Sequence, residues 1–325
     1  MAATSRLHTV LDDGLLTLPD GPVTVMRPAA DYDLSPLADR DLQIAQGFAP
    51  DADAFAQAGY AVTQDAPAAP TMIVVVPRAK ALARSMIAQA CALGQLVVVD
   101  GQRTDGIDSI YKDVRARLGD VPSLPKAKGR LFWFPATDAL ADWAAPPLAR
   151  GDHGYYNTAG VFSDGAIDKG SALLAAALPA KLPARMADLG AGWGYLSNAV
   201  LVRDGVAALD LIEAEALSLD CARLNVTDDR ATFHWADALT FQPRTKFDGI
   251  VMNPPFHTGS KGTPALGQGF IAAAARLLAA HGKLWMVANR HLPYEAALRA
   301  HFRNVEELPG EGAYKLFHAT RPLKS

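Results

Sequence analysis

Asn253-Pro254-Pro255-Phe256 closes the run Phe247-Asp248-Gly249-Ile250-Val251-Met252, which has the apolar character of a buried parallel strand. Two consecutive prolines cannot continue a ladder, because each lacks an N–H donor and restricts the residue before it. Asn253 and the carbonyl of Pro254 are therefore held in a fixed geometry at a strand's carboxyl end, where open α/β sheets place their ligands. Asn253 offers a side-chain carbonyl, Pro254 a backbone carbonyl and Phe256 an apolar face. Two acceptors beside a ring suit an exocyclic NH2 group on a planar base or an amide. Taken alone, the same residues equally describe a strand followed by a rigid turn.

A second group lies upstream. Met186-Ala187-Asp188-Leu189-Gly190-Ala191-Gly192-Trp193-Gly194-Tyr195-Leu196 reads as a strand, a glycine-rich turn and a helix over 195–202. Such glycines let the backbone turn tightly and approach a nucleotide-like ligand at the helix N-terminus. The dinucleotide fingerprint is Gly-x-Gly-x-x-Gly, but here Tyr195 stands where its third glycine is needed. Asp188 would also repel a pyrophosphate. S-adenosylmethionine has no phosphate and carries an ammonium and a sulfonium, so an acidic strand end favours it over NAD. The next strand, 207–213, ends in Glu213, about 25 residues after Asp188, where an acid accepts hydrogen bonds from a ribose diol in nucleotide-binding α/β folds. Glu213 also suits the first turn of the helix expected over 215–224, and the two roles are compatible. Asp237, after a third strand over 232–235, is a candidate acceptor for an adenine amine.

These residues need a sheet to hold them. After the Asn-Pro-Pro-Phe strand come a loop over 257–267, a helix over 270–280, a strand over 283–289 and a helix over 295–301. Strands over 304–307 and 313–319 are joined by a link short enough for an antiparallel hairpin. Five parallel strands with a closing hairpin form the class I methyltransferase (Rossmann-like) arrangement. The first half shows the same order: strands over 71–77 and 95–101 flank a helix over 81–93, a parallel βαβ unit. Further strands are expected over 21–26 and 129–134, and helices over 54–59 and 111–118. Residues 73–77 align with 250–254, so that Val76-Pro77-Arg78 replaces Asn-Pro-Pro-Phe, and no comparable glycine cluster is present. A duplicated α/β domain that lost its chemistry follows, with residues 1–155 as the degenerate copy and 156–325 as the catalytic one. Trp143, in the connection, is free to pack against either.

The chain of 325 residues is 50% hydrophobic and 20% charged, with a net charge of −3. This describes a globular protein of two ordinary domains. No apolar run reaches the roughly 18 to 20 residues of a membrane span, and residues 1–20 carry no secretory pattern. Cys91 and Cys221 stand far apart without metal spacing, as small buried residues of a reducing compartment.

With these motifs in view, the chain resembles the bacterial ribosomal RNA guanine-N2 methyltransferases that carry two tandem methyltransferase-like domains. The resemblance rests on Gly160-Val161-Phe162-Ser163, Asp188-Leu-Gly-Ala-Gly192, Asn253-Pro-Pro-Phe-His257, Val287-Ala-Asn289 and Leu292-Pro-Tyr294. It is strong over 160–320 and weaker before. It implies S-adenosylmethionine as cofactor, held by Asp188, Gly190, Ala191, Gly192, Gly194, Glu213, Asp237 and Phe162. It implies catalysis by Asn253, Pro254, Pro255 and Phe256, with the two carbonyls holding the guanine amine and Phe256 stacking on the base. His257, Lys261 and Arg290 are candidate contacts to RNA. The expected partner is ribosomal RNA or a ribosomal subunit, the small one favoured, for a cytoplasmic monomer with no metal. Glu213 is Asp in many relatives, and Trp193 is unusual within the glycine turn. Two other readings remain: glutamine methylation of a release factor, whose enzymes share Asn-Pro-Pro-aromatic but usually have Tyr and a small helical first domain, and a non-catalytic RNA-binding assembly factor. A DNA adenine methyltransferase is disfavoured, because no target-recognition insert is recognisable.

Overall fold

The computed structural model describes residues 5–146, 148–161, 166–255, 257–258, 261–262 and 264–323. The chain forms two compact units, Met1–Pro147 and Leu148–Ser325. No helix among the described residues is long and apolar enough to cross a membrane.

The first unit runs α1 (Arg6–Asp12), β1 (Val23–Met26), β2 (Leu42–Ala45), α2 (Ala49–Gln57), β3 (Ala61–Thr63), β4 (Thr71–Val75), α3 (Lys80–Leu93), β5 (Leu96–Gln102), α4 (Ile107–Leu118), β6 (Ser123–Lys126) and β7 (Gly129–Pro135). Its seven strands lie in the order β3-β2-β1-β4-β5-β7-β6. Only the pairings of β7 with β5 and β6 are antiparallel. Buried strands with both faces covered read as continuous apolar runs. Thus Met72 and Val74 enter one core while Ile73 enters the other. Trp143 packs into the first of these cores, beneath the guanidinium groups of Arg84 and Arg117.

The second unit runs β8 (Ala149–Arg150), β9 (Tyr156–Asn157), α5 (Lys169–Ala177), β10 (Arg185–Leu189), α6 (Tyr195–Leu201), β11 (Ala208–Glu213), α7 (Ala216–Asn225), β12 (Ala231–Trp235), β13 (Phe247–Met252), β14 (His257–Thr258), β15 (Lys261–Gly262), α8 (Pro264–Leu277), β16 (Leu278–Asn289), α9 (Tyr294–His301), β17 (Phe302–Leu308) and β18 (Tyr314–Pro322). Its main sheet has the order β12-β11-β10-β13-β16-β18-β17, the same topology as the first. β13 alternates across two cores, with Ile250 and Met252 in one and Val251 in the other. β16 does the same, with Leu284 and Met286 opposite Trp285 and Val287. The two-domain class I methyltransferase fold is therefore observed in both halves, and the closing hairpin expected in the second is present in the first as well.

Several elements differ from the sequence expectation. β2 and β3 were not anticipated: β2 is four residues long and includes Gln43, and β3 is a three-residue edge strand with no buried residue. β6 contains Pro125, which an edge strand tolerates. The helix expected over 270–280 begins earlier, at Pro264, and ends at Leu277. The residues after it belong to β16, where pairing passes from Phe247↔Leu278 to Gly249↔Lys283 through an irregularity.

α8 carries the chain away from the Asn-Pro-Pro-Phe turn and packs on α9 through Gly267, whose missing side chain makes room for the Tyr294 ring. Tyr294 is fully buried, and its hydroxyl has no hydrogen-bond partner among the described residues. Gly267→Ala should lower the melting temperature, although Ala is intrinsically the better helix former by about 1 kcal/mol. Tyr294→Phe should leave stability unchanged or raise it by up to about 1 kcal/mol, because no hydrogen bond is lost. Calorimetric melting of the two variants checks both.

Candidate active site

Four adjacent parallel strands end level. Leu189 is in register with Ile212 and Met252, and Ile212 with His234. The chain exits after β10, β11, β12 and β13 thereby bring the glycine turn, Glu213, Asp237 and Asn253 to one end of the sheet. The strand order reverses between β10 and β13, since β10 leads outward to β11 and β12 while β13 leads to β16. The crevice between two such strands is where open α/β sheets bind ligands.

The three glycines of the turn all have positive φ, +71 at Gly190, +55 at Gly192 and +92 at Gly194. Gly194 is required by packing, since a Cβ there would stand 2.6 Å from Val226 Cγ2. Gly192 is different: a Cβ would meet nothing within 4 Å among the described residues, leaving space there for a ligand. Glu213 ties this turn to its own strand end. Its Oε2 accepts the Gly192 N–H at 2.8 Å and its Oε1 the Glu215 N–H at 2.8 Å. Each oxygen keeps a second lone pair for a ligand hydroxyl.

Asp188 is 1% exposed, and its Oδ2 accepts the Ser197 hydroxyl at 2.7 Å. Its Oδ1 is buried without a hydrogen-bond partner among the described residues. Burial pushes Asp188 up to about 7, against the pull of Ser197 and with a further push from the charge of Glu213. Burial raises Glu213 too, against the N–H groups it accepts. Two carboxylates that resist ionisation, one with an orphaned oxygen, make a site suited to a ligand bearing positive charge and hydroxyl donors.

Asn253 leaves β13 half-buried, with Pro254 buried and Pro255 exposed. Its Nδ2 donates to Asp168 Oδ2 and to Ser171 Oγ, both at 2.9 Å. Neither contact was legible beforehand; the available signal was the Asp-x-x-Ser spacing of a helix N-cap, and Asp168 does cap α5 by accepting the Ser171 N–H at 2.8 Å. Asp237 follows β12, with Oδ1 accepting the Leu239 N–H at 2.8 Å. His257 and Lys261 lie on the two-residue strands β14 and β15 of a small hairpin just after the Asn-Pro-Pro turn. Arg290, after β16, is engaged within the fold: it donates to the carbonyls of Gly312 and Tyr314 at 3.1 and 2.9 Å. Phe162 and Phe256 lie outside the described residues.

Trp193, unusual in the turn, packs with Tyr155 and Tyr195 at centroid distances of 4.8 and 5.8 Å. Asn225 pins the same region, donating to the carbonyls of Tyr156 and Trp193 and accepting the Tyr156 N–H. The glycine turn is thus braced to the segment that leads into Gly160-Val161.

The first unit repeats this scaffold without its acids. The Arg27 N–H donates to Ala45 O at 2.7 Å, as the Gly190 N–H donates to Ile212 O at 2.9 Å, and Arg27 keeps the positive φ, +58. Gln46 stands at the position of Glu213. Its Oε1 accepts the Phe48 N–H, while its Nε2 donates to Pro28 O at 2.6 Å. This register moves the sequence alignment by one residue: Met26 pairs with Val74 as Leu189 pairs with Met252, so Val75-Val76 occupy the places of Asn253-Pro254. Arg6 and Tyr32 lie over that strand end, bonded to the buried Asp100 at 2.6 and 3.0 Å.

The raised Asp188 has a consequence for stability. Its carboxyl is easier to protonate folded than unfolded, so its contribution is fully present below about pH 4 and is lost as pH rises through about 7. Asp188→Asn should therefore raise the melting temperature at pH 8 and give little or no gain at pH 4, as thermal melts at the two pH values would show.

Comparison with known proteins agrees with this geometry. Residues 153–318 match the family described as methyltransferase small domain. Ribosomal RNA small subunit methyltransferase C of Shewanella sp. strain MR-4 is 33% identical over 262 residues, covering 76% of each chain. The protein of the same name from Shewanella baltica strain OS155 is 31% identical over 263 residues, covering 76% of this chain and 75% of its own. A T. thermophilus 16S rRNA N2 methyltransferase solved with AdoMet and guanosine shares the fold, with a TM-score of 0.80, 22% identity, and coverage of 98% of this chain and 92% of that one. On its glycine turn, its Asn-Pro-Pro strand exit and these relatives, the chain belongs to the ribosomal RNA small subunit methyltransferase C family.

Proposed function

We propose that the second unit transfers a methyl group from S-adenosylmethionine to the exocyclic N2 amine of a guanine in small-subunit ribosomal RNA. The observation that carries this reading is the Asn253 amide at the β10–β13 crevice, with its NH2 facing Asp168 and Ser171 and its carbonyl turned to the other side. The cofactor supplies an activated methyl group on a sulfonium. In this reading Asp188 lines the cofactor pocket as a buried carboxyl held by Ser197, Glu213 accepts from the ribose diol, and Gly192 leaves room for the nucleoside. Asn253 Oδ1 and the Pro254 carbonyl accept the two amine hydrogens of guanine and aim the nitrogen lone pair at the methyl carbon. The N–C bond forms as the S–C bond breaks, its electrons staying on sulfur, and the nitrogen's proton leaves to solvent. Positioning supplies most of the acceleration, because the leaving group is already activated. A guanine within a helix must first be flipped out, and Phe256 is placed by its sequence position to stack on it. His257 and Lys261 are the candidate contacts to the flanking RNA.

The first unit is read as a non-catalytic partner domain. Gln46 there spends its NH2 on the loop carbonyl, and Val75 offers no acceptor side chain. The enzyme is read as a cytoplasmic monomer. Family membership and a strand-rich first unit disfavour release-factor glutamine methylation.

Asn253→Ala should lower kcat at least about 100-fold, the order lost with one positioned hydrogen-bond partner, while the Kd for S-adenosylmethionine stays within about threefold. Gly192→Ala should do the reverse at the binding step, raising that Kd at least about tenfold, and its left-handed backbone should cost about 1 kcal/mol of stability as well. Labelled methyl transfer to small-subunit RNA, nucleoside digestion and calorimetric titration read both. Unchanged turnover in Asn253→Ala, or a labelled nucleoside other than N2-methylguanosine, would overturn the assignment.

A further inference from the structure

We infer that Asp168 and Ser171 are positioning residues for the transfer, fixing which end of the Asn253 amide faces the reacting base and so restricting the site to an exocyclic amine. This rests on the proposed methylation. An amide can be turned over by rotation of its terminal torsion, and its two ends then offer opposite chemistry: a carbonyl accepts and an NH2 donates. At Asn253 that choice is made from 85 residues away. Asp168 Oδ2 lies 2.9 Å from Nδ2, and an ionised carboxylate only accepts. Turning the amide over would set two acceptors against each other in a half-buried place, an arrangement that costs both the hydrogen bond and the desolvation of its partners. Ser171 Oγ, on a residue only 7% exposed, takes a second hydrogen bond from the same nitrogen.

The clamp is itself held. The oxygen that accepts from Asn253 also accepts the Ser171 N–H, so the first turn of α5 and the amide share one anchor. Gly170, between them, lies under the Tyr314 ring: a Cβ there would stand 2.8 Å from Tyr314 Cε1 and 3.1 Å from Asp168 Oδ2. Tyr314 pairs with Asn289 at the same end of the sheet. With both hydrogens of Nδ2 committed, the group presented on the other side is Oδ1. It accepts from an amine and repels a carbonyl oxygen, so the reacting position must carry N–H.

A charge-swap cycle in the full-length chain tests this. The variants Asp168→Asn, Asp168→Ala, Asn253→Asp and the exchange of Asp168→Asn with Asn253→Asp are compared with wild type for kcat and KM on small-subunit RNA, for S-adenosylmethionine Kd and for melting temperature. Asn caps a helix about as well as Asp, and the capping oxygen would still accept from Asn253, so Asp168→Asn should leave melting, Kd and kcat nearly unchanged, whereas Asp168→Ala, which removes that oxygen, should lower kcat at least tenfold with Kd nearly unchanged. Asn253→Asp places two carboxylates together and should lose at least 100-fold. In the double exchange, Asn at 168 donates to Asp at 253 at the expense of its cap on the Ser171 N–H and again leaves an oxygen facing the base, so kcat should recover at least tenfold over Asn253→Asp while melting falls. Full kcat in Asp168→Ala, no recovery in the exchange, or a kcat loss matched by a loss of Kd would overturn the inference. Side-chain amide NMR decides it independently of activity. The Asn253 NH2 signal, identified by its absence in Asn253→Ala, should exchange slowly in wild type and rapidly in Asp168→Ala. Equal exchange in both overturns the clamp, whereas a protected signal in a chain that methylates no RNA supports the clamp and contradicts the proposed function.

Discussion

Two neighbouring parallel strands whose chains depart in opposite directions cannot both be covered at their carboxyl ends. β10 and β13 are such a pair, and every feature of the site follows from the crevice between them. On one side the glycine turn bends away from β10 in left-handed backbone that non-glycine residues adopt only with strain. On the other, the prolines stop β13 and leave Asn253 at the edge of the crevice. Because Leu189 and Met252 are in register, the two groups are level, and one ligand can touch both. The surrounding hydrogen bonds set directions within this frame. Glu213 holds the Gly192 N–H, Ser197 holds one oxygen of Asp188, and Asp168 with Ser171 holds Asn253.

The first unit separates what the sheet needs from what the chemistry needs. A residue with positive φ after β1 is retained although it is Arg27, because the hydrogen bond to Ala45 O fixes the backbone there. A side chain that caps the N–H two residues on is also retained, but as Gln46 rather than Glu213. Replacing the acid by an amide keeps the tether and removes the negative charge that a cationic ligand would seek. Asp100, the buried acid that remains near this strand end, is paired within the fold with Arg6 and accepts a hydrogen bond from the Tyr32 hydroxyl. The scaffold thus tolerates loss of the ligand-directed groups as long as the loop tethers survive.

Much of this was legible in the sequence, for identifiable reasons. Apolar runs such as Ile250–Met252 and Val97–Val99 mark strands covered on both faces, and Gly190-x-Gly192-x-Gly194 marks a turn that other residues cannot make cheaply. Short or polar strands were not legible: Leu42–Ala45 and Ala61–Thr63 are held by their neighbours in the sheet rather than by their own pattern. The alignment of the two halves by proline was one residue out, because a proline marks where a ladder stops but not which residue faces which across the sheet. Asp168 could be read as a helix cap, yet its contact with Asn253 spans 85 residues and exists only once both elements are packed. The contacts of Arg290 with the carbonyls of Gly312 and Tyr314 were likewise not legible, because they join loop residues 22 and 24 positions apart.

The central claim is that this crevice places a methyl group on one guanine amine of small-subunit ribosomal RNA. The most direct test is mass mapping of ribosomal RNA from cells lacking this protein, with and without the gene restored. The account predicts the loss of a single N2-methylguanine from the small-subunit RNA and its return on complementation. Ribosomal RNA with every N2-methylguanine intact in the deletion strain would contradict it.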